Sequence, residues 1–326
     1  MKKLFALVSL LMLVLAIPAV SQSAPQPAPR ALIVVAHPDD ESCFAATVYQ
    51  ITHNLGGTVD QMVITNGEGG YRYSLLAETI YGVALTDEKT GRAALPEIRK
   101  RELLDAGRIL GIANHYFLDQ RDVRYTQDVD EVLETHWQKG VVEPEVRRRL
   151  EAGHYDFVFT LFPTPETHGG HKASTFTALD AVQAMTGHRP IVLGCQDAKR
   201  DATVQPSWAG YQSPRHPFTS LPEVYQTDRA VKFGFKDALS YQIIVNWMVA
   251  AHKSQGAFQA GVSGYDLEQF VVIAGGSENG AAAPSSTDSP RALTRGLFEA
   301  LAARASHPKG VDPSPEPSAP PAPPSK

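Results

Sequence analysis

The chain has 326 residues, a formal net charge of −5, 43% hydrophobic and 20% charged residues, and 2 cysteines. That balance excludes a collagenous or wholly disordered chain and a disulfide-built miniprotein, and it allows a core of ordinary α/β size. A net acidic chain also offers little to a phosphate backbone, so nucleic acid is not an expected partner.

The N-terminus reads as an export signal. Lys2 and Lys3 precede an apolar run from Leu4 to about Ala19, and the small residues Ser21, Ser23 and Ala24 follow. Charged, apolar and small segments in that order mark a secretory signal, and the run is short of the ~20 apolar residues of a membrane span. Residues 1–24 are therefore expected to be cleaved near 21 to 24. The mature chain is then secreted or periplasmic, without a membrane span, and the loss of Lys2 and Lys3 takes its net charge to −7. No cysteine stands at the cleavage site to carry a lipid anchor. An oxidising compartment permits a Cys43–Cys195 disulfide without establishing one.

After a Pro-rich spacer, Ala31–Ala36 is a continuous apolar run, as a strand buried on both faces requires. Val59–Thr65, Asp156–Leu161 and Pro190–Gly194 read as further strands. Between them the spacing predicts helices over Glu41–Asn54, over Pro96–Leu110, with Leu103, Ala106 and Leu110 on one stripe, and over Lys172–Met185. Farther on, Asp228–Gln255 reads as one long helix or two, Phe270–Ala274 as a late strand, 275–290 as a flexible Gly/Ala/Ser/Asn loop and 291–305 as a last helix. The Pro-rich tail, 306–326, cannot bury apolar area and is expected to be disordered. Strands alternating with helices predict a single α/β domain over 30–274, with a Rossmann-like, largely parallel sheet covered by helices on both faces. In such sheets the ligand lies beyond the carboxyl ends of the strands, so functional residues should follow strands directly.

Two segments do so. Ala36-His37-Pro38-Asp39-Asp40-Glu41 follows the first strand and holds the chain's only Asp-Asp pair. Acids there suit a helix N-terminus, but that does not account for the histidine. In a helical turn His37 and Asp40 share a face, while Asp39 points elsewhere. An imidazole and a carboxylate are two of the three protein ligands of a catalytic zinc site. The third must come from afar, and His168 and His171 are the only two of the 11 histidines within one turn of each other. They follow the Asp156–Leu161 strand. One can bind the metal while the other serves acid chemistry, although a bare H-x-x-H also fits a polar loop.

AHPDDE after the first strand, with a later H-x-x-H, resembles the PIG-L/LmbE family of zinc-dependent N-acetylglucosaminyl deacetylases. Asn66-Gly67-Glu68-Gly69-Gly70 is similar to its Gly-Glu turn, Arg99–Gly111 to its R-x-x-E-L helix, Phe117–Asp122 to its third strand and following aspartate, and His252-Lys253-Ser254-Gln255 to its late H-[KR]-S-Q segment. The resemblance implies His37, Asp40 and His171 as zinc ligands, Asp39 as general base and His168 as the group assisting at the carbonyl oxygen or leaving amine. This chain has Gly169-Gly170 where the family commonly has Pro-Asp.

The function expected from this is removal of an N-acetyl group from an amino sugar or glycoconjugate, by a zinc-bound water that Asp39 activates. The substrate partner is then a small molecule or glycan carrying an N-acyl amine. The same donor set suits Fe²⁺ or Co²⁺. An amidase acting on another acyl-amine and a non-catalytic binding protein that keeps the fold are the alternative readings. Among neighbouring residues, Glu41 reads as a first-turn acid or a partner of the ligands. Arg99 reads as a donor to a sugar or a solvated helix arginine, and Asp122 stands with it on the substrate side. Tyr71, Arg72 and Tyr73 fall on a loop able to stack on a sugar or simply to lie at the surface. His252 is on the apolar stripe Ala238, Tyr241, Val245, Met248, which favours a hydrogen-bonded core histidine over a group on the pocket floor. Arg72 occupies the position of the last glycine of a dinucleotide fingerprint, and no G-x-S-x-G or H-E-x-x-H is present.

Overall fold

The computed structural model describes residues 28–256, 264–275 and 289–307. The expected leader, nearly all of the 275–290 loop and the tail beyond His307 lie outside them. The strands are β1 Arg30–Val35, β2 Thr58–Thr65, β3 Asn114–Gln120, β4 Phe157–Leu161, β5 Ile191–Ala198, β6 Phe218–Ser220, β7 Tyr225–Asp228, β8 Lys232–Phe233, β9 Leu239–Ser240 and β10 Leu267–Gly275. The α-helices are α1 Ala45–Tyr49, α2 Leu75–Tyr81, α3 Glu88–Leu110, α4 Val129–Glu131, α5 Lys139–Gly153, α6 Gly169–Ala184, α7 Tyr241–Ala251 and α8 Pro290–Arg304.

The main sheet runs β3-β2-β1-β4-β5-β10-β6, with β7 also on β10. The first five strands are parallel, and β10 closes one side antiparallel to β5. The alternation of β1 shows the layering. Ala31, Ile33 and Val35 pack with residues of α1, α3, α7 and α8, whereas Leu32, Val34 and Ala36 face α5, α6 and the Val129–Trp137 segment. Both faces of β1 are buried, which is why its sequence is apolar without a break. Leu297, Phe298 and Leu301 of α8 join the first core, so the last helix belongs to the domain. No described helix is long and apolar enough to cross a membrane.

The chain returns from β3 to β4 on the other side of β1, so the strand order reverses between β1 and β4. Loops at such a switch point splay apart and leave a crevice.

Three expectations need correction. The helix expected over Glu41–Asn54 is a 3₁₀ turn (Asp40–Phe44), then α1, then a π turn (Gln50–Asn54). Its free N–H groups are met from another strand, because the Glu268 carboxylate of β10 accepts from Ala46 N and Thr47 N at 2.8 Å each. The helix ending at Leu110 begins at Glu88 rather than at Pro96. Asp87 caps it, its carboxylate accepting from Thr90 N at 2.9 Å, and Pro96 is carried inside at the loss of one backbone bond. The helix expected over Asp228–Gln255 is confined to α7. Its first part forms β8 and β9 around Gly234, whose φ of 78° no L side chain adopts easily.

Candidate metal centre

The first site residues lie at the end of β1. Asp40 turns its carboxylate back, Oδ2 accepting from the backbone N–H of Ala36 (3.1 Å) and His37 (2.8 Å). Oδ1 is left for His171, whose Nε2 is 3.1 Å away. His37 Nδ1 lies 3.0 Å from that same Nε2 and 3.5 Å from Asp40 Oδ2. A tetrahedral zinc with bonds of about 2.0–2.1 Å needs donors about 3.3 Å apart, so these three side chains can hold a divalent cation. His37 and His171 stand 134 residues apart in sequence; the pairing of β1 with β4 brings them together.

His168 stands directly before α6. Its ring centroid is 5.1 Å from that of His37 and 5.3 Å from that of His171, and the three imidazoles offer nitrogens all within 4.8 Å of one another. The Asp40 triangle is tighter, so His168 suits a place beside an ion better than a place on it. Its Nε2 is buried and meets no hydrogen-bond partner among the described residues. Tyr125 stacks on the ring at 4.9 Å and 23°. The structure also accounts for Gly169-Gly170. A Cβ on Gly169 would approach the carbonyls of Asp128 and Thr126 to 2.9 and 3.0 Å, and one on Gly170 would meet His168 Nδ1 at 3.2 Å.

Charge is organised around His37. Burial lowers its pKa, but the Asp40 and Asp122 carboxylates outweigh burial and raise it to about 10. Burial likewise opposes ionisation of Asp40 and Asp122, yet His171 and His37 hold Asp40, and His37 holds Asp122, well below the usual range. The metal-free centre thus carries an imidazolium among carboxylates, where a bound cation would take the proton's place. Burial and the neighbouring His37 and His171 push His168 down to about 3, which keeps it neutral. Burial raises Asp39 against the pull of Arg99.

Arg99 is neither a solvated arginine nor a free donor. It is 2% exposed, its Nη2 is 2.8 Å from Asp39 Oδ2, and its Nη1 donates to Gly67 O at 2.7 Å. Asp122 lies in the same cavity, with its Oδ1 3.8 Å from His37 Nε2, the nitrogen turned away from the triangle. A carboxylate there orients a metal-binding imidazole. Glu41 and His252 form a fully buried pair, Oε1 to Nε2 at 2.6 Å, and Gln61 donates to Glu41 at 3.3 Å. His252 is thereby the core histidine and not part of the pocket wall.

A cavity of about 620 Å³ opens over the cluster, of a size for a small ligand. His37, Asp39, Asp40, Asp122, His168 and His171 line its floor together with Arg99. Tyr71, Arg72 and Tyr73 line it too, as does a group the sequence reading missed: Arg92, Arg124, Tyr125 and Gln255. Arg124 and Tyr125 follow Asp122 just beyond β3, and the rule that ligands lie past strand ends pointed to them. A second cavity of about 320 Å³, lined by residues such as Leu179, Val182 and Ile273, has no acid, histidine or cysteine in its wall and offers no hydrolytic chemistry.

Residues 32–182, from β1 through α6 and including both histidine segments, match the family model described as PIG-L, GlcNAc-PI de-N-acetylase. No curated protein matches the sequence. Among solved structures, this chain is similar to the A40926 pseudoaglycone deacetylase Dbv21 at 16% identity, covering 76% of this chain and 97% of that one with a TM-score of 0.49. The zinc-inhibited form of teicoplanin deacetylase Orf2 gives 17%, 77%, 100% and 0.49. The N,N′-diacetylchitobiose deacetylase from Pyrococcus horikoshii gives 17%, 76%, 84% and 0.47.

Proposed function

We propose that this chain is a secreted, zinc-dependent hydrolase that removes the N-acetyl group of an amino sugar or glycoconjugate. The observation that carries the reading is the triangle of His37, Asp40 and His171 beside Asp39 in one cavity. The family description supports the acyl group removed, and the leader-like N-terminus supports export.

His37, Asp40 and His171 would hold a divalent ion, whose chemistry there would be to lower the pKa of a water and polarise a carbonyl. The protein's own groups do the rest. Asp39, held by Arg99 through Oδ2, takes the proton of the attacking water. Neutral His168 presents the Nε2 edge of its ring to the acetamide oxygen and donates a hydrogen bond as negative charge grows there, a kind of contact whose loss costs on the order of a hundredfold in rate. Asp39 then returns its proton to the departing amine. Asp122 keeps the His37 ring in place from behind.

The test is Asp39→Asn. Elemental analysis should find the metal retained and identify it as zinc, while acetate release falls at least about a hundredfold. Unchanged turnover removes Asp39 from the reaction. Mass analysis of products from N-acetyl sugars and simple amides separates deacetylase from general amidase, and N-terminal sequencing of exported protein tests cleavage near residues 21 to 24.

A further inference from the structure

The chain is acidic, yet the wall of the candidate site contains four arginines, Arg72, Arg92, Arg99 and Arg124, and no lysine or glutamate. Its three acids, Asp39, Asp40 and Asp122, all sit on the floor around His37 and Arg99. The two signs are therefore partly separated, with the acids and Arg99 on the floor and Arg72 and Arg124 exposed.

The arginines are not equally committed. Arg99 is held by Asp39. Arg92 donates to Glu88, at 2.9 Å, and to the carbonyls of Asp122 and Val123. Arg124 is paired with Glu131 at 2.6 Å. Arg72 is exposed, its Nε donates to the Tyr71 hydroxyl at 2.9 Å, and no carboxylate of the described residues lies within 4.0 Å of it. The Tyr71 ring gathers two cations, with the guanidinium carbons of Arg72 and Arg92 at 5.4 and 5.1 Å from its centroid. Arg92 already has the Glu88 carboxylate, whereas Arg72 has none among the described residues, and a planar guanidinium fork is the geometry that takes a carboxylate or phosphate through two bonds. Beside them, Tyr73 and Tyr125 are 59% and 69% exposed, and Tyr125 has one face on His168 and the other open for a sugar ring.

Resting on the deacetylase reading, we infer that the preferred substrate is an N-acetylated amino sugar bearing an anionic substituent, a carboxylate or a phosphate, and that Arg72 is the group that reads this charge. Arg92 adds to the field and Tyr125 offers the stacking face.

The experiment compares N-acetylglucosamine, its 6-phosphate and N-acetylmuramic acid, whose ether substituent carries a carboxylate. Acetate release is measured for wild type, Arg72→Gln and Arg72→Lys, and binding of the same sugars to chelator-treated protein is measured by calorimetry. For wild type, kcat/KM for one of the anionic sugars should exceed that for the neutral one at least tenfold, chiefly through KM, and the advantage should shrink as salt rises. Which anion is favoured distinguishes phosphate from carboxylate. In Arg72→Gln the ratio of anionic to neutral kcat/KM should fall at least tenfold, and Arg72→Lys should restore part of it. Equal turnover and binding of all three sugars, or an advantage untouched in Arg72→Gln, overturns the inference. Anion-selective binding lost in Arg72→Gln, but with no acetate released from any sugar, upholds the inference about charge and defeats the deacetylase reading instead.

Discussion

The Glu41–His252 pair gives a prediction whose size follows from burial. Both side chains are inaccessible to water, and their 2.6 Å contact joins the turn after β1 to the end of α7. In His252→Leu the Glu41 carboxylate keeps the Gln61 amide at 3.3 Å but loses its cation. Removing one partner of a buried pair costs about 3–5 kcal/mol, because the other is left charged in a medium that cannot solvate it, whereas an exposed pair is worth about 0–1 kcal/mol. Complete burial places this case in the first range. The pH dependence follows too. Burial lowers the pKa of His252, but Glu41 outweighs it and the net shift is upward from 6.5. Folding therefore favours the protonated imidazole, and this stability is full below about pH 6.5 and fades as pH rises through the folded-state value. Urea unfolding of chelator-treated wild type, His252→Leu and the uncharged pair Glu41→Gln/His252→Gln reads both effects. The single variant should lose about 3–5 kcal/mol at pH 6, and the gap between wild type and the uncharged pair should narrow at alkaline pH. A loss under about 1 kcal/mol with an unchanged slope against urea, or a gap independent of pH, refutes the reasoning.

Four further outcomes follow from the same physics. With His37 raised to about 10 in the metal-free chain, the cation must displace a proton below that pH, so apparent metal affinity should rise about tenfold per pH unit, read by competition with a coloured chelator between pH 6 and 8. A pH-independent affinity would contradict it. Cys43 and Cys195 are free thiols with sulfurs 3.0 Å apart; burial pushes Cys43 up to about 11 and Cys195 well above its ordinary value. The reduced protein should therefore resist alkylation at pH 8 until unfolded, as mass spectrometry would show. Burial raises Asp197 to about 7, against the pull of Arg229, so this group's contribution to stability is full below its unfolded value near 3.8 and lost as pH rises through 7. Asp197→Asn should flatten that decline, whereas Glu268→Gln, which takes a charge from a carboxylate serving Arg229, Ala46, Thr47 and the Thr47 hydroxyl, should cost about 3–5 kcal/mol in thermal or urea unfolding.

What the chain settles locally was legible in it. A strand buried on both faces must be apolar throughout, which identified β1, and shorter apolar runs marked β2 and β4. A histidine and two acids directly after such a strand stood out against the bland role of capping a helix. The His252 stripe held from Tyr241 onward, since Tyr241, Val245 and Met248 are all buried on the face that ends at His252, whereas Ala238 is exposed and precedes α7. The strands β7 to β9 were missed because they exist through pairing, β7 with β10 and β8 with β9, which outweighs the helical spacing of Asp228–Ser240.

The sequence by itself determined which residue types stand at which strand ends, since hydrophobic period and turn chemistry act over a few residues. Only the tertiary structure decided that β4 lies beside β1 and so sets His171 3.0 Å from His37. The same long-range packing turned Arg99 from a helix arginine into the partner of Asp39 and placed Asp122 behind His37. Those contacts join residues tens of positions apart or more, and their energies depend on burial that no short stretch of sequence carries.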